Sequence, residues 1–230
     1  MRQLTRLFAV ASAVVLLDQG TKFLAVARLT RAFEPHGKRT LVERLTAFYK
    51  LKNLDNDPFI PGEVDRRLPA VDVVPGLWSH KYVENPGAAW GLLGGLDEKV
   101  RVPFFHAVSL SAIAFIVLYY RRLQADQRLL AWALALVLGG ALGNYADRLA
   151  RNYVIDFVDW HWRGDPRWHW PTFNLADAAI SVGVFLMLVD SLFGRRLRPE
   201  DVPALPSSGT TAEGSGLEGV EPAAGRETED

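Results

Sequence analysis

Cysteine is absent from the 230 residues of the sequence. A chain without thiols has no disulfide bonds, no thiolate nucleophile and no cysteine-ligated zinc or iron–sulfur site. The sequence also lacks a face on which lysine and arginine are interleaved with aromatic residues, the pattern that indicates nucleic-acid binding. These absences remove sulfur-based sites and nucleic-acid partners from the functional hypotheses.

Charged residues are scarce as well, at 23% of the chain against 49% hydrophobic residues, and the hydrophobic residues are bunched. This composition is typical of a membrane protein. The formal net charge of zero hides an asymmetry, because the segment 198–230 holds 2 basic and 8 acidic residues. That segment is rich in proline, glycine, serine and glutamate. It is therefore predicted to be a disordered acidic cytoplasmic tail behind a membrane domain at 1–197.

Four apolar runs are long enough to cross about 30 Å of hydrocarbon as helices. They lie at about residues 7–27, 102–120, 129–146 and 173–193. Basic clusters precede the first run, separate the second from the third and follow the fourth, and cytoplasmic ends collect such clusters. The pattern predicts four transmembrane helices with both termini cytoplasmic. A cleaved secretory signal is the other interpretation of the first run, although no small-x-small site cleanly follows Asp18.

The segment at about 28–101 is then an outward loop. It holds two β-prone runs, TAFYKLKNL and SHKYVEN, separated by turn-forming residues, and this pattern predicts a small sheet at the membrane surface. Its middle, at about 54–70, is too polar and proline-rich for an assignment. The predicted fold is an all-α integral membrane protein with a small extracytoplasmic β-sheet between its first and second transmembrane helices.

Polar residues gather around the ends of the third and fourth apolar runs. They are Asn144, Asp147, Arg148, Asp156, Asn174 and Asp177. Such groups are costly at a membrane boundary unless they are partnered, so a cluster of them indicates a functional site. An amide and a carboxylate three residues apart share a helix face. This spacing occurs twice, in Asn144 with Asp147 and in Asn174 with Asp177. Two carboxylates brought close together share a proton, and such a pair can activate a water and protonate a leaving amine.

Two further features concern helix packing. Asp18 and Lys22 are one helical turn apart, which permits an ion pair that lowers the insertion cost of both residues. Gly139 and Gly143 form a small-xxx-small step, which lets another helix approach closely. Both features indicate structural roles beside any functional one.

Five sequence blocks follow one another, each beside a predicted span. They are LLDQGTK around Asp18, ENPGAAWGLL around Asn85, GGALGNYADR, VIDFVDW and FNLADAAISVG. With these blocks the chain resembles the lipoprotein signal peptidase family, or signal peptidase II, from about residue 5 to residue 195. Its members are four-span aspartic peptidases of bacterial inner membranes. One block alone is a weak signal, but the five in this order are specific.

The resemblance implies a catalytic dyad of Asp156 and Asp177 that needs neither a cofactor nor a metal. The residues implied to support or line the pocket are Asn144, Asp147, Arg148, Asn174, Asn85 and Asp18. The implied substrate is a prolipoprotein whose lipobox cysteine carries diacylglycerol, cut on the N-terminal side of that cysteine. The implied enzyme is a monomer among membrane lipids, with its active site near the extracytoplasmic face.

The sequence departs from the family pattern at three places. Trp90 stands where phenylalanine is more usual, and the outward loop before SHKYVEN is longer than in typical members. The segment HWRGDPRWHWPTF also lengthens the spacing from Asp156 to Asp177. The first change affects packing, the second leaves substrate choice or a partner open, and the third falls in a predicted loop.

Several alternatives remain open for individual residues. Asp147 rivals Asp156 as the partner of Asp177, and otherwise it is expected to pair with Arg148 or a pocket amide. His161 and His169 lie among carboxylates and are candidates for a metal site. Four tryptophans in the same segment, at 160–170, are expected to form a belt at the membrane–water interface. They are Trp160, Trp162, Trp168 and Trp170.

Two other functional classes compete with a peptidase. A small transporter or ion-coupling protein also carries intramembrane carboxylates, but it predicts acidic residues at mid-depth and inverted repeats, and no repeat is visible. A non-catalytic scaffold would use its polar residues only to join helices. It gives no reason for three carboxylates to converge at one end of the helices.

Overall fold

The computed structural model describes residues 2–33, 40–51, 54, 66–87, 93, 95–163 and 165–193. The elements in chain order are α1 (Arg2–Leu29), α2 (Leu41–Tyr49), β1 (Val71–Val74), β2 (Trp78–Asn85), α3 (Glu98–Tyr120), α4 (Arg128–Arg151), β3 (Val154–Trp162), β4 (Asp165–His169) and α5 (Leu175–Phe193). The predicted tail at 198–230, most of the segment at 54–70 and Trp90 lie outside these ranges.

Four helices are long and apolar enough to cross a membrane, and they correspond to the four predicted runs. They are Leu4–Leu29, Glu98–Tyr120, Arg128–Arg151 and Leu175–Phe193. The third extends beyond the predicted end at 146, so Asp147 and Arg148 lie inside α4. Asn152 then ends this helix in a left-handed conformation (φ 64°), which asparagine tolerates better than most residues.

The sheet has four antiparallel strands in the order β1-β2-β3-β4. SHKYVEN forms most of β2, as predicted. The predicted location of the sheet, between the first two spanning helices, is only half correct, because β3 and β4 come from the segment between α4 and α5. In the β2–β3 register Val83 is opposite Asp156, and Asn85 is opposite Val154. Strand β2, from the first loop, therefore places Asn85 next to strand β3, which carries Asp156.

The predicted strand TAFYKLKNL is wrong, because its first four residues belong to helix α2. A capping box starts this helix: Thr40 accepts the backbone N–H of Glu43 at 3.3 Å, and the Glu43 carboxylate accepts that of Thr40 at 2.7 Å. Phe48 is buried, while Leu41 and Val42 are exposed. Local capping and the burial of one aromatic ring therefore override the β propensity of the run.

Glycines bring α1 and α5 into close contact with α4. A Cβ at Gly139 would lie 2.6 Å from Cβ of Val14, so only glycine fits against α1 there. Gly140 packs in the same way against the backbone oxygen of Ala176 on α5. The predicted packing role of Gly139 is confirmed, and Gly143 continues the same contact toward Asp18.

Two apolar clusters divide the helical part of the molecule along α1. The first cluster surrounds Leu7 and Ala11. It also includes residues from the end of α3 and from the first half of α4, near the short connection between these two helices. The second surrounds Val26 and Leu29 and reaches α2 and the sheet. Between these clusters α1 carries Asp18, which belongs to a polar layer of hydrogen-bonded side chains. The layer consists of Asp18, Gln19, Lys22, Asn144, Asp147, Arg151, Asp156, Asn174 and Asp177.

Candidate active site

Asp156 and Asp177 come from different elements, β3 and the first turn of α5, and Asn174 joins them. The Nδ2 atom of Asn174 donates to Oδ1 of Asp156 at 2.7 Å. Its Oδ1 atom accepts the backbone N–H of Asp177 at 3.0 Å. The structure therefore brings the predicted carboxylate pair together around one buried amide.

Asp156 is 2% exposed and is held by two amides. Besides the bond from Asn174, its Oδ2 atom accepts a hydrogen bond from Nδ2 of Asn85 at 3.0 Å. Burial, followed by the repulsion of the Asp177 charge, raises the pKa of Asp156 to about 7. The hydrogen bonds from Asn85 and Asn174 and the charge of the more distant Lys22 lower this pKa, but they do not cancel the increase. The pair can therefore retain a proton near neutral pH.

Asp177 is the third residue of α5 and forms a capping box with Asn174. Its Oδ2 atom accepts the backbone N–H of Asn174 at 3.2 Å, which reciprocates the bond that Asn174 accepts. Its Oδ1 atom accepts a hydrogen bond from Nδ2 of Asn144 at 2.8 Å. The first turn of a helix is also where the helix dipole favours a carboxylate. Helix capping thus fixes the position of this side chain.

A cavity of about 810 Å³ opens onto both carboxylates. Its polar lining includes Asn85, Asn144 and Arg148, and its remaining wall is largely apolar, from the sheet and from α5 beyond Asp177. Arg148 donates to the backbone oxygen of Gly87 at 3.2 Å. Five of the eight predicted site residues therefore line one cavity, with Asn174 directly behind them.

Asp147 does not line this cavity, and its side chain is fully buried. Its Oδ2 atom lies 2.8 Å from Nζ of Lys22, and its Oδ1 atom lies 3.2 Å from Nη2 of Arg151. The expected pairing with Arg148 is wrong. An amide does bind Asp147, but it belongs to Gln19, which donates to Oδ1 at 3.1 Å and does not line the cavity. Because Asp147 is paired with two cations and lies outside the cavity, the geometry favours Asp156 as the partner of Asp177.

Asp18 forms the predicted ion pair with Lys22, at 2.8 Å between Oδ2 and Nζ. Both side chains are fully buried. The second oxygen of Asp18 accepts the backbone N–H of Ala176 at 2.9 Å. Asp18 therefore holds the start of α5, which carries Asp177, and it does not face the cavity.

Comparison with known proteins shows the family of the chain. The model of a family described as Signal peptidase (SPase) II matches residues 10–193. The chain belongs to this family. A lipoprotein signal peptidase of Anaeromyxobacter sp. (strain Fw109-5) is 48% identical over 204 residues, which are 87% of each chain. A lipoprotein signal peptidase of Geobacter metallireducens is 45% identical over 141 residues, 60% of this chain and 84% of the relative.

The fold also has a counterpart among solved structures. A bacterial membrane enzyme solved by the in meso method at 2.3 Å resolution superimposes with a TM-score of 0.55 at 22% identity, covering 84% of this chain and 93% of that one. Family membership makes the chain a peptidase. Together with its four apolar helices, it makes the chain a multi-pass protein of the bacterial membrane.

Of the two histidines considered as alternative metal ligands, His169 has other partners. His169 contacts the Asp159 carboxylate, and its Nε2 atom lies 2.9 Å from the ammonium of Lys81. Lys81 and His169 lower the pKa of Asp159 against the effect of burial. An ammonium group takes the place that a cation would need. Within the described ranges, no group of three histidine or acidic side chains is arranged to hold a metal ion.

Three contributors to the polar layer were not predicted from the sequence as part of the site. Gln19 bridges Asp18 and Asp147, and Arg151 joins Asp147 to the backbone oxygen of Phe48. Lys22 was expected only as the partner of Asp18. The available signal was the density of polar residues inside an apolar helix, since Asp18, Gln19 and Lys22 fall on neighbouring positions of α1.

Proposed function

We propose that the chain removes signal peptides from diacylglyceryl-modified prolipoproteins, cutting on the N-terminal side of the lipidated cysteine. Asp156 and Asp177 are the catalytic residues of this proposal. The observation that carries it is the position of the buried Asn174 side chain, which donates to the Asp156 carboxylate and accepts the backbone N–H of Asp177, while both carboxyl groups line one cavity. Family membership and the names of the relatives support the substrate class.

The proposed chemistry is hydrolysis by a carboxyl pair that holds one proton. The ionised carboxylate takes a proton from a water molecule, whose oxygen attacks the scissile carbonyl, while the other carboxyl group protonates the carbonyl oxygen. The tetrahedral intermediate then collapses and the C–N bond breaks. The leaving amine takes the proton that came from water, and the ionised carboxylate takes a hydroxyl proton from the intermediate, which restores the singly protonated pair. The raised pKa of Asp156, at about 7, supports a shared proton at neutral pH.

The apolar wall of the cavity is consistent with a lipidated substrate. Beyond the carboxylates it continues along Ile180 and Val182 of α5, toward the outer face of an apolar helix, where Val182 is 51% exposed. An acyl chain that stays in the bilayer can reach the carboxylates along this wall without crossing water.

We place the sheet, α2 and the cavity at the extracytoplasmic face and both termini in the cytoplasm. The basic residues Arg121, Arg122 and Arg128 lie at the α3–α4 link, at the opposite end of the helices, and positive charge favours the cytoplasmic side. The tryptophans of the β3–β4 hairpin support a position at the membrane boundary, since Trp160 is 52% exposed and Trp168 is 69% exposed.

The test is cleavage of a purified diacylglyceryl-modified prolipoprotein by the wild-type protein, by Asp156→Asn and by Asp177→Asn, with mass spectrometry of the new N-terminus. We expect wild type to cut before the lipidated cysteine, also with a metal chelator present. Each substitution should lower kcat by about 10²–10⁴-fold or more, because each removes one partner of the proton transfer.

Monodisperse, folded protein in lipid nanodiscs is the control for both variants. Retained cleavage by either Asp→Asn variant would overturn the dyad. Loss of wild-type cleavage with the chelator alone would move the chemistry to a metal, and cleavage of the unlipidated precursor at an equal rate would overturn the substrate class.

A further inference from the structure

Lys22 makes a contact that charge balance alone does not require. Its Nζ atom lies 2.8 Å from Asp18 and 2.8 Å from Asp147, and these two contacts already pair the ammonium. The third contact is a 3.0 Å hydrogen bond to Oδ1 of the neutral Asn144 side chain. An ammonium has three protons, so all of its donors are used.

Asn144 is the residue through which this contact reaches the dyad. Its Oδ1 atom accepts from both Lys22 and Nδ2 of Asn174, at 3.0 and 3.1 Å. Its Nδ2 atom therefore points the other way and donates to Oδ1 of Asp177 at 2.8 Å. Turning the amide over would place its N–H groups against an ammonium and another amide, and would place its oxygen against a carboxylate.

We propose that Lys22 is a positioning residue of the peptidase reaction: it fixes the orientation of the Asn144 amide so that Nδ2 holds the Asp177 carboxylate. This inference rests on the proposed role of Asp156 and Asp177. Lys22 lines no part of the cavity, and it acts through Asn144 and not on the substrate.

Arg151 is the matched control for this role. Like Lys22 it has a fully buried cationic side chain that pairs with Asp147, at 3.2 Å. On its other side the guanidinium contacts Phe48 and Tyr49 of α2 and not Asn144. Loss of either cation therefore disturbs the same carboxylate, but only loss of Lys22 frees the amide.

Charged groups from each packed element surround Lys22. They are Asp18 on α1, Asp147, Arg148 and Arg151 on α4, Asp156 on β3 and Asp177 on α5. Two of these carboxylates pair directly with Lys22, and Arg151 lies on the far side of one of them. The positive charge of Lys22 also acts on Asp156 and lowers the pKa of that carboxyl group. Removing the ammonium should therefore move the titration of Asp156 to higher pH.

The test is a double-mutant cycle on kcat with Lys22→Met, Asn144→Ala and the double variant, with Arg151→Met beside them. We expect Lys22→Met to lower kcat by about 10–100-fold, the size found when a group that orients a site residue is removed. In the Asn144→Ala background the same change should cost less than about threefold, because the amide is already absent. Arg151→Met should lose stability but keep kcat within about threefold of wild type.

The pH profile supplies an independent measurement. The alkaline limb of kcat should move to higher pH in Lys22→Met and stay in place in Arg151→Met. If Lys22→Met does not fold, Asp18→Asn/Lys22→Met, which keeps the buried charge balanced, is compared with Asp18→Asn, and the same loss of kcat is expected. Equal losses from Lys22→Met and Arg151→Met, or a full loss from Lys22→Met in the Asn144→Ala background, would overturn the inference.

Failure of the underlying function is distinguishable in the same assay. If Asp156→Asn and Asp177→Asn are inactive while Lys22→Met keeps the wild-type kcat and pH profile, only the role of Lys22 is wrong. If the Asp→Asn variants cut as wild type does, the dyad is wrong, and the role of Lys22 is overturned with it.

Discussion

The molecule contains two pairs of carboxylates within the same polar layer, and they are compensated in opposite ways. Asp18 and Asp147 are fully buried and lie against cations. Asp156 and Asp177 are held by neutral amides. The cations are Lys22 and Arg151, and the amides are Asn85, Asn144 and Asn174. Amides orient a carboxylate without neutralising it, so the second pair keeps a proton to exchange, whereas the first stabilises the helix contacts.

Access to the cavity follows the same division. Asp156 and Asp177 face a cavity of about 810 Å³, whereas Asp18 and Asp147 have no part in its lining. A carboxylate that is ion-paired and enclosed is poorly suited to move protons to a substrate. This difference between the pairs is the physical ground on which we propose Asp156 and Asp177 as the catalytic carboxylates and Asp18 and Asp147 as structural ones.

The largest expected effect that separates the pairs comes from Asp147→Asn. This change leaves Arg151 without its ion partner and weakens the site of Lys22, so we expect a loss of about 3–5 kcal/mol in the free energy of unfolding. Cleavage per folded molecule should stay within about tenfold of wild type. Unfolding in mixed micelles and kcat in nanodiscs measure the two quantities separately.

Asp156→Asn is the counterpart of that variant and should do the reverse. It should abolish cleavage with a smaller change in stability, because no cation loses its partner. The comparison between the pairs would be wrong if Asp147→Asn were as inactive as Asp156→Asn while remaining equally stable.

A smaller effect is expected from Gly143→Ala. The new Cβ would lie 2.6 Å from Oδ2 of Asp18. This carboxylate cannot move away, because Lys22 holds Oδ2 and the N–H of Ala176 holds Oδ1. We expect a loss of about 1–3 kcal/mol in the free energy of unfolding from this overpacking. Thermal unfolding of the purified variant in detergent measures it.

Gly20→Ala is the matched control, because a Cβ there meets no atom within 4 Å. Alanine is the better helix former by about 1 kcal/mol, so Gly20→Ala should be neutral or stabilising. Equal destabilisation by both substitutions would indicate a general sensitivity of these helices and not a contact at Asp18.

The smallest effect is a pH dependence of the rate. Because the pKa of Asp156 is raised to about 7, the carboxyl is protonated below that pH and ionised above it. The pair therefore loses its shared proton as pH rises, and kcat should fall by about tenfold per pH unit above 7. A rate that stays level from pH 6 to pH 9 for folded enzyme would contradict a shared proton.

Much of this architecture was predictable from the sequence, because apolar runs of spanning length dominate it. The four helices and the strand SHKYVEN followed from length and alternation. The strand predicted at TAFYKLKNL failed because the Thr40–Glu43 capping box and the burial of Phe48 decide the conformation. The segment HWRGDPRWHWPTF was expected to be a loop, but it contains the end of β3 and the strand β4, whose pairing is not visible in the local sequence.

Five of the residues that line the cavity were predicted from the sequence, but the contacts that join them to the layer behind it were not. Spacing placed Asn144 with Asp147 and Asn174 with Asp177 on common helix faces. It could not reveal that Asn174 reaches across to β3, because that contact depends on the register of the sheet and the packing of α5. The ion partners of Asp147 were likewise assigned wrongly, since Lys22 lies on another helix and a glycine at 143 lets that helix approach.

The most direct test of the division between the pairs is the titration of individual carboxyl groups by infrared spectroscopy of protein labelled with ¹³C-aspartate. A protonated carboxyl band that disappears with a midpoint at about pH 7 is expected in wild type and in Asp147→Asn. The band should be absent from Asp156→Asn. A band that persists in Asp156→Asn but vanishes in Asp147→Asn would contradict the account, because the exchangeable proton would then belong to the ion-paired carboxylate.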